Sequence, residues 1–506
     1  MKRIFVILSI IACTNTLFAQ AFFGEKPKLV VGIVVDQMRW DYLDRYYNKF
    51  GNDGFKRLIN EGYSCNNCLI NYVPTITAIG HTSAYTGTTP ALHGICGNNF
   101  FIDGRYVYCT EDDSVQTVGS NTTKGKMSPR NLLATTIGDQ LRLHTDFRSK
   151  VIGVSYKDRA AILPAGHSAN AAYWLDLKAN PICFISSTYY MNELPKWVQD
   201  YNRTLAKNKE AQKAGSSIGL EALCGTITTD MAIAALENEQ LGKGEATDML
   251  CVSYSQTDVI GHKWGTRGDH TDEAYLTLDR DLGRLLTALD RQVGSGNYLV
   301  FLTADHGGAH NWRFMQEHKM HAGPWLNKEG REAMEAAVSK AFGRGRELKP
   351  VISGLLDYRV FLNHQSIQEQ GLNLQEVKQV IIQHLLSWPN VQFAADFSQL
   401  MQTSLPPRLR DMMLMGYHPR RSGDIVFVPE PGYYDYGSYS SPVGTTHGVW
   451  NPYDAHIPLL FMGWKVPHGA TSREVHITDI AATVCQLLHI QQPNACVGEA
   501  ITEITK

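Results

Sequence analysis

The 506-residue sequence predicts an α/β fold built on a mostly parallel sheet covered on both faces, and three observations carry that expectation. Short apolar runs rich in β-branched residues recur along the chain without polar alternation, as buried parallel strands require. Between them lie stretches whose apolar residues fall at helical spacing. Strand and helix then alternate, the order that a parallel sheet with crossover helices produces.

Strands are expected at Leu29 to Val35, Val151 to Val154, Met249 to Val252, Tyr298 to Leu302 and Ile457 to Met462. The strongest helix runs from Thr271 to Arg291, where Leu278, Leu282, Leu285, Leu286 and Leu289 share one face and Asp272 and Glu273 suit the first turn. The texture changes between about 310 and 425. Helical patterns at Arg331 to Phe342 and Leu374 to Trp388, a strand-like run at Asp357 to Leu362 and the Pro- and Arg-rich stretch Pro406 to Arg421 suggest an inserted cap. A smaller insertion is expected at about 165–220.

The N-terminus reads as a secretory signal peptide. Met1-Lys2-Arg3 precedes the apolar run Ile4 to Ala12, and polar and small residues lead to a cleavage point after Ala19. That run is well short of the ~20 residues needed to span a bilayer, and no later segment has that length, so no stable membrane anchor is expected. Export, to the periplasm or the medium, follows. Loss of residues 1–19 removes Lys2 and Arg3 and no acid, which moves the net charge from −2 to −4. With Lys+Arg 47 against Asp+Glu 49 and 43% hydrophobic residues, the composition excludes a basic nucleic-acid binder, a disordered acidic chain and a collagen-like one. No nucleic-acid partner is expected, and the chain is expected to act as a monomer. Nine cysteines remain after Cys13 leaves with the signal, an odd number. Cys251, inside an apolar run, is expected to be a buried free thiol. Cys65 and Cys68 lack a second Cys-x-x-Cys to complete a zinc site, so a disulfide between them, or to Cys96 or Cys109, is the expectation.

Chemistry concentrates where apolar runs end. Asp36, Asp258 and Asp305 each follow one of them, and in parallel sheets the carboxyl ends of strands carry ligands. A single such aspartate would be a turn former or a helix cap. Three of them, two accompanied by histidine, are harder to assign that way. Asp258 and His262, four apart, share one face of a helix, Asp305 precedes His306 in a Gly-rich turn, and His447 projects from the small-residue loop Gly444 to Gly448. Oxygen with imidazole nitrogen is zinc-like ligation. His81, His93, His270, His310, His318, His321 and His456 keep the ordinary reading of packing or exposure. The segment Pro74-Thr75-Ile76-Thr77 opens a helix running to about Thr86, and a hydroxyl at that end meets the positive pole of the helix dipole. An alkoxide nucleophile and an ordinary Thr cap fit that position equally well.

Asp36, the Pro-Thr-x-Thr segment with Thr86-Gly87 and His93-Gly94 after it, Asn98, Asp258-x-x-x-His262, Asp305-His306 and the late His447 together resemble the alkaline phosphatase superfamily. The resemblance spans about residues 28–490 and is nearest the threonine-nucleophile branch, with its phosphate-irrepressible alkaline phosphatases and nucleotide pyrophosphatases. It implies an alkaline-phosphatase-like three-layer sandwich over 20–506. It also implies one zinc ion held by Asp258, His262 and His447, and a second held by Asp36, Asp305 and His306. Thr77 matches the family nucleophile, because Asn98 lies 21 positions beyond it as the family asparagine does, and Thr75 becomes its structural partner. Asn98 would bind a phosphoryl oxygen. Lys157 and Arg159 resemble the Lys-x-Arg pair that meets the extra charge of a monoester dianion, two residues apart on an extended segment and facing the same way. The sulfatase Cys-x-Pro-x-Arg signature is absent, and neither a Ser nucleophile nor a third metal site has a counterpart. The implied activity is a zinc-dependent phosphomonoesterase acting on small phosphate esters through a phospho-threonine. A phosphodiesterase on the same metals is the alternative, and a non-catalytic metal- or phosphate-binding protein is disfavoured because neither the nucleophile nor a ligand is missing.

Overall fold

Leu29–Val35 has the sequence LVVGIVV, with no polar side chain on either face, so the strand requires cover above and below. In the computed structural model, described here for residues 25–436 and 441–505, it lies inside a ten-stranded sheet. The expected signal peptide, residues 1–19, falls outside the described residues. The strand order is Gly469–Thr471, Tyr63–Cys65, Leu459–Gly463, Tyr298–Thr303, Leu29–Val35, Asp248–Tyr254, Val151–Ser155, Ala171–Asp176, Cys183–Ser187 and Thr117–Val118. The five strands from Tyr298–Thr303 to Ala171–Asp176 are parallel. Antiparallel strands flank them on both sides, so the sheet is mixed.

The expected strand Ile457 to Met462 differs in two respects. It breaks at Pro458, and its second part, Leu459–Gly463, runs antiparallel to Tyr298–Thr303. Proline has no N–H for a ladder, and the Pro458 carbonyl instead accepts the Thr303 hydroxyl at 2.9 Å. Strand direction leaves no mark on a short apolar run.

Two groups of helices pack beside the main sheet. Asp269–Gln292 packs against Leu223–Asn238 and Gln256–Trp264, and Thr77–Thr86 against Asp158–Ala165 and Asp479–Leu487. The five expected leucines of Asp269–Gln292 are all buried. Thr77–Thr86 starts three residues later than Pro74, because Ile76 is still extended. Every residue of that helix is buried, so no polar face marked its boundary.

Residues 352–429 contribute a second, four-stranded antiparallel sheet, in the order Ile352–Leu356, Arg359–Leu362, Ile425–Pro429 and Val391–Asp396. Helices Asn327–Phe342 and Leu374–Leu386 pack on it around a core of its own that includes Trp325, Met334, Val338, Ile381 and Phe427. The segment 165–220 supplies Ala171–Asp176 and Cys183–Ser187 to the main sheet.

All nine described cysteines are free, so the expected disulfide is not formed. Cys65 ends a strand of the main sheet, whereas Cys68 opens Cys68–Leu69, which pairs in a separate sheet with His456–Ile457 and Val475–His476. Cys96 and Cys109 pack into another apolar cluster. Cys251 is the buried free thiol expected of it.

The contact between Thr77–Thr86 and the sheet sets the depth of the site. A Cβ at Gly80 would stand 2.1 Å from the Asp305 carbonyl oxygen and 2.6 Å from its Cα. Backbone cannot yield as a flexible side chain can, so Gly80→Ala should destabilise the protein by about 1–3 kcal/mol and loosen the placement of Asp305. Urea denaturation of wild type and variant measures the first effect, and metal-binding titration the second. Unchanged values in both would show that the helix can move outward freely.

Candidate active site

Parallel register builds the first part of the site. Val35 pairs with Tyr254, and Val34 with Thr303, so the residues just beyond the ends of three adjacent strands emerge side by side. Those residues include Asp36, Asp305 and, on the first turn of Gln256–Trp264, Asp258. The next strand, Val151–Ser155, delivers Lys157. Its ammonium bridges two of the acids, 2.7 Å from Asp36 Oδ2 and 2.6 Å from Asp258 Oδ2.

Three histidines complete the cluster, each with the same tether. Nδ1 of His262 donates to the Thr445 carbonyl at 2.8 Å, Nδ1 of His447 to Thr75 at 2.7 Å, and Nδ1 of His306 to Gly307 at 2.9 Å. A carbonyl only accepts, so the proton sits on Nδ1 and every Nε2 faces inward as a lone pair. His262 Nε2 stands 3.0 Å from Asp258 Oδ1, His447 Nε2 3.6 Å from the same atom, and His306 Nε2 3.5 Å from Asp36 Oδ1 and 3.4 Å from Asp305 Oδ2. Two sets of candidate ligand atoms, those of Asp36, Asp305 and His306 and those of Asp258, His306 and His447, each lie within 4.8 Å of one another. His306 thus faces both sets, and His262 adjoins the second through Asp258.

Lone pairs and carboxylate oxygens directed at one another are repulsive unless a cation lies between them. Burial, and then the neighbouring Asp305, push Asp36 well above the usual carboxylate range. Burial likewise holds His306 and His447 below the usual imidazole range, so both stay neutral. Asp36 Oδ1 and Asp305 Oδ2 are buried without a hydrogen-bond partner. One ammonium, that of Lys157, is too little for three carboxylates, and the donor set of oxygens and imidazole nitrogens fits divalent zinc-like metal.

Thr77 stands beside this cluster, its Oγ1 3.5 Å from His306 Nε2. It is the first residue of its helix rather than the cap, which is Ile76, so its hydroxyl is not used to close the helix end. The neighbouring Ala78 N–H donates to Asn98 Oδ1 at 3.1 Å, which leaves the Asn98 amide group to donate elsewhere. Thr75 is structural. Its hydroxyl donates to Val449 at 2.8 Å and its carbonyl holds His447.

Lys157 and Arg159 do not lie on one extended segment. Lys157 precedes helix Asp158–Ala165 and Arg159 lies in its first turn, so the two do not project from one extended segment. Arg159 donates to the Tyr108 hydroxyl at 3.0 Å, and Tyr108 donates in turn to Asp158 at 2.7 Å. Thr77, Asn98, Arg159, Asp258, His262 and His447 share one cavity of about 240 Å³, and the cap closes its other side.

Several residues had no mark in the sequence. Gln37, held at φ 60°, donates from its backbone to Asp305 at 3.1 Å and from its side chain to Asp258 at 2.7 Å. His81, given the ordinary reading, spans from the Thr77 carbonyl, at 2.9 Å, to Ser253 Oγ, at 2.8 Å. Asp454 accepts from the backbone of Gly448 at 2.9 Å and Val449 at 3.0 Å, and so shapes the loop that carries His447.

Burial raises Asp454 from 3.8 to about 8, against the pull of those two N–H groups. The folded protein therefore retains a proton that the unfolded chain gives up. Stability from this group is complete below the unfolded value and is lost as pH rises through the folded one. Asp454→Asn cannot ionise, so the metal-free variant should gain on metal-free wild type between pH 4 and 8. Urea midpoints at several pH values measure the gap, and a gap independent of pH would contradict the assignment.

Comparisons with known proteins agree with this geometry. The family model described as Type I phosphodiesterase / nucleotide pyrophosphatase matches residues 30–450. Alkaline phosphatase PafA of Elizabethkingia meningoseptica is 43% identical over 526 aligned positions, covering 95% of this chain and 94% of that protein. Alkaline phosphatase PhoV of Synechococcus elongatus is 42% identical over 526 positions, covering 95% and 93%. The crystal structure of wild-type PafA matches with a TM-score of 0.90 at 42% identity, over 96% of this chain and all of that one. The chain therefore belongs to the type I phosphodiesterase / nucleotide pyrophosphatase family, on the branch that holds the PafA and PhoV alkaline phosphatases.

Proposed function

We propose that the protein is an exported phosphomonoesterase of the alkaline phosphatase type, which hydrolyses small phosphate monoesters through a phospho-threonine on Thr77. The observation that carries this reading is the placement of the Thr77 hydroxyl at a buried helix N-terminus, between the carboxylate and imidazole cluster and the donors Asn98 and Arg159. Asp36, Asp305 and His306 would hold one zinc ion, and Asp258, His262 and His447 the other. When bound, such ions neutralise the buried carboxylates and supply Lewis acidity that lowers the pKa of a hydroxyl beside them.

The chain's own groups do the remaining work. Thr77 loses its hydroxyl proton to solvent and its Oγ1 forms a bond to phosphorus as the ester oxygen leaves in line on the opposite side and takes a proton from water, while the helix N-terminus stabilises the negative charge on both threonine oxygen and phosphate. Asn98, oriented by its bond from Ala78, donates its amide to a non-bridging oxygen. Arg159, tethered by Tyr108, adds a charge-assisted donor, and Lys157 adds a second cation beside Asp36 and Asp258. Water then adds to phosphorus, the bond to Thr77 breaks, and the threonine recovers its proton. Two cationic donors favour a monoester dianion over a diester monoanion, because each added unit of charge is worth more in a dry site than in water. The leader-like residues 1–19 support export, and the purified exported protein should begin at Gln20.

Chelation should abolish hydrolysis of a simple aryl monoester and zinc should restore it; turnover indifferent to chelator would exclude this reading. Thr77→Ala should reduce kcat by ~10³ or more while zinc content stays unchanged. Rapid acid quench of wild type should trap phosphate on Thr77, whereas absence of both label and turnover in zinc-loaded protein would favour a binding protein without catalysis. Lys157→Ala/Arg159→Ala should lower kcat/KM for a monoester about 10²-fold more than for a diester. Equal losses on the two substrates would favour the phosphodiesterase reading.

A further inference from the structure

Arg159 borders two cavities. One is the active-site cavity, which it shares with Thr77 and Asn98. The second, of about 680 Å³, is lined by Tyr108, Tyr156, Asp158 and Trp174 as well as by Arg159. A guanidinium on a flexible stem between two such spaces has two places to put its charge. Among the described residues its side chain donates one hydrogen bond, from Nη1 to the Tyr108 hydroxyl at 3.0 Å, while Nε is buried without a partner. The choice between the two cavities therefore rests on Tyr108.

Tyr108 is fixed to the other phosphate donor. It ends the strand Arg105–Tyr108, which pairs antiparallel with Asn99–Ile102, and it lies directly opposite Asn99. The next residue, Cys109, donates its N–H to the Asn98 carbonyl at 2.9 Å. Phe100 and Val107, a buried pair in this hairpin, pack with Ala78, the neighbour of Thr77, and with Leu163, one turn beyond Arg159 on its helix. One short hairpin thus carries Asn98 at one side of its base and the tether of Arg159 at the other. It is wedged against the two helices that present the hydroxyl and the guanidinium.

The hydroxyl has one proton to give, and it goes to Asp158 Oδ1 at 2.7 Å, so toward Arg159 the oxygen acts as acceptor. Asp158 Oδ1 itself stands 3.9 Å from Arg159 Nη1. The phenol thus sits between a carboxylate and a guanidinium that would otherwise close on each other. Burial holds the phenol well above the usual tyrosine range, so it stays neutral. A neutral tether fixes the guanidinium yet leaves more of its charge available than direct contact with the carboxylate would. Resting on the phosphomonoesterase reading, we propose that Tyr108 is a positioning residue that sets monoester specificity: its hydroxyl holds Arg159 at the phosphoryl site, in register with Asn98, and keeps the guanidinium from pairing with Asp158 or turning into the second cavity. A monoester dianion gains more from that charge than a diester monoanion, so loss of the tether falls mainly on monoesters.

The test is a double-mutant cycle on zinc-loaded enzyme, with an aryl phosphate monoester and the matching diester as substrates. Turnover of the monoester by wild type tests the phosphatase reading separately. Tyr108→Phe keeps the ring and removes the hydroxyl, and it should lower kcat/KM about tenfold for the monoester and about twofold for the diester, with zinc content unchanged. Inhibition by inorganic phosphate should weaken along with the monoester rate. In an Arg159→Ala background the same substitution should leave the ratio of monoester to diester kcat/KM where Arg159→Ala alone puts it, because no guanidinium remains to be held. That ratio is independent of the fraction of enzyme that is folded, so a partly unfolded variant still reports. Should Tyr108→Phe yield no soluble protein, Thr110→Val carries the test: it removes the hydroxyl that donates to the other oxygen of Asp158 at 3.2 Å, and it should lower the ratio about twofold. A ratio unchanged in the variant tested, or a Tyr108→Phe loss of equal size with and without Arg159, overturns the proposal, and monoester turnover by wild type then leaves the phosphatase reading intact.

Discussion

Asp36, Asp258 and Asp305 stand buried at the ends of neighbouring strands, and much of the site's construction follows from the cost of keeping them there. Charged carboxylates removed from water require compensation, and like charges at this range raise that requirement. Lys157 supplies one compensating charge, reaching Asp36 and Asp258 together. Gln37 supplies two N–H donors, to Asp305 and Asp258. Asp36 Oδ1 and Asp305 Oδ2 still have no hydrogen bond, and three imidazole lone pairs point at the same space. Such a cluster is a poor stability element and a good cation receptor, because electrostatic tension within the chain becomes affinity for the missing charge.

The tethers of the histidines serve the same end. Three carbonyls, those of Thr75, Thr445 and Gly307, set the tautomer of His447, His262 and His306 and their ring orientation. Two of those carbonyls belong to segments that meet a histidine remote in sequence, so the metal cluster and the loops support one another. Thr75 links them most directly, holding His447 through its carbonyl while its chain continues two residues later into the Thr77 helix. Asp454 anchors the other side of that loop through Gly448 and Val449. A shift in any of these contacts would be felt both at the candidate nucleophile and at the metal ligands.

The cap contributes differently. It has its own sheet and core, yet its hairpin tip at Asp357 and Tyr358 enters the catalytic cavity and rests on Gly97. The main sheet thereby provides most of the carboxylate and imidazole cluster, and the cap provides the opposite wall of the cavity.

The chain's local pattern was enough to locate the central strands of the main sheet, its longest helix, the three aspartates at strand ends, the Asp258 and His262 pair on one helical face, and Thr77 near a helix start. These features depend on neighbours within a few residues, so periodicity and spacing reveal them. The resemblance to a known family added Asn98 and the Lys157 and Arg159 pair, whose significance no local pattern carries, and gave His447, marked until then only by its small-residue loop, a place among the metal ligands. Tertiary structure alone decided that Leu459–Gly463 runs antiparallel, that Cys65 and Cys68 enter different sheets, that Arg159 lies within a helix that Lys157 precedes, and that Gln37, His81, Tyr108 and Asp454 serve the site. Each of those outcomes is a contact between segments far apart in the chain, where the partner is chosen by packing and charge rather than by the residues on either side.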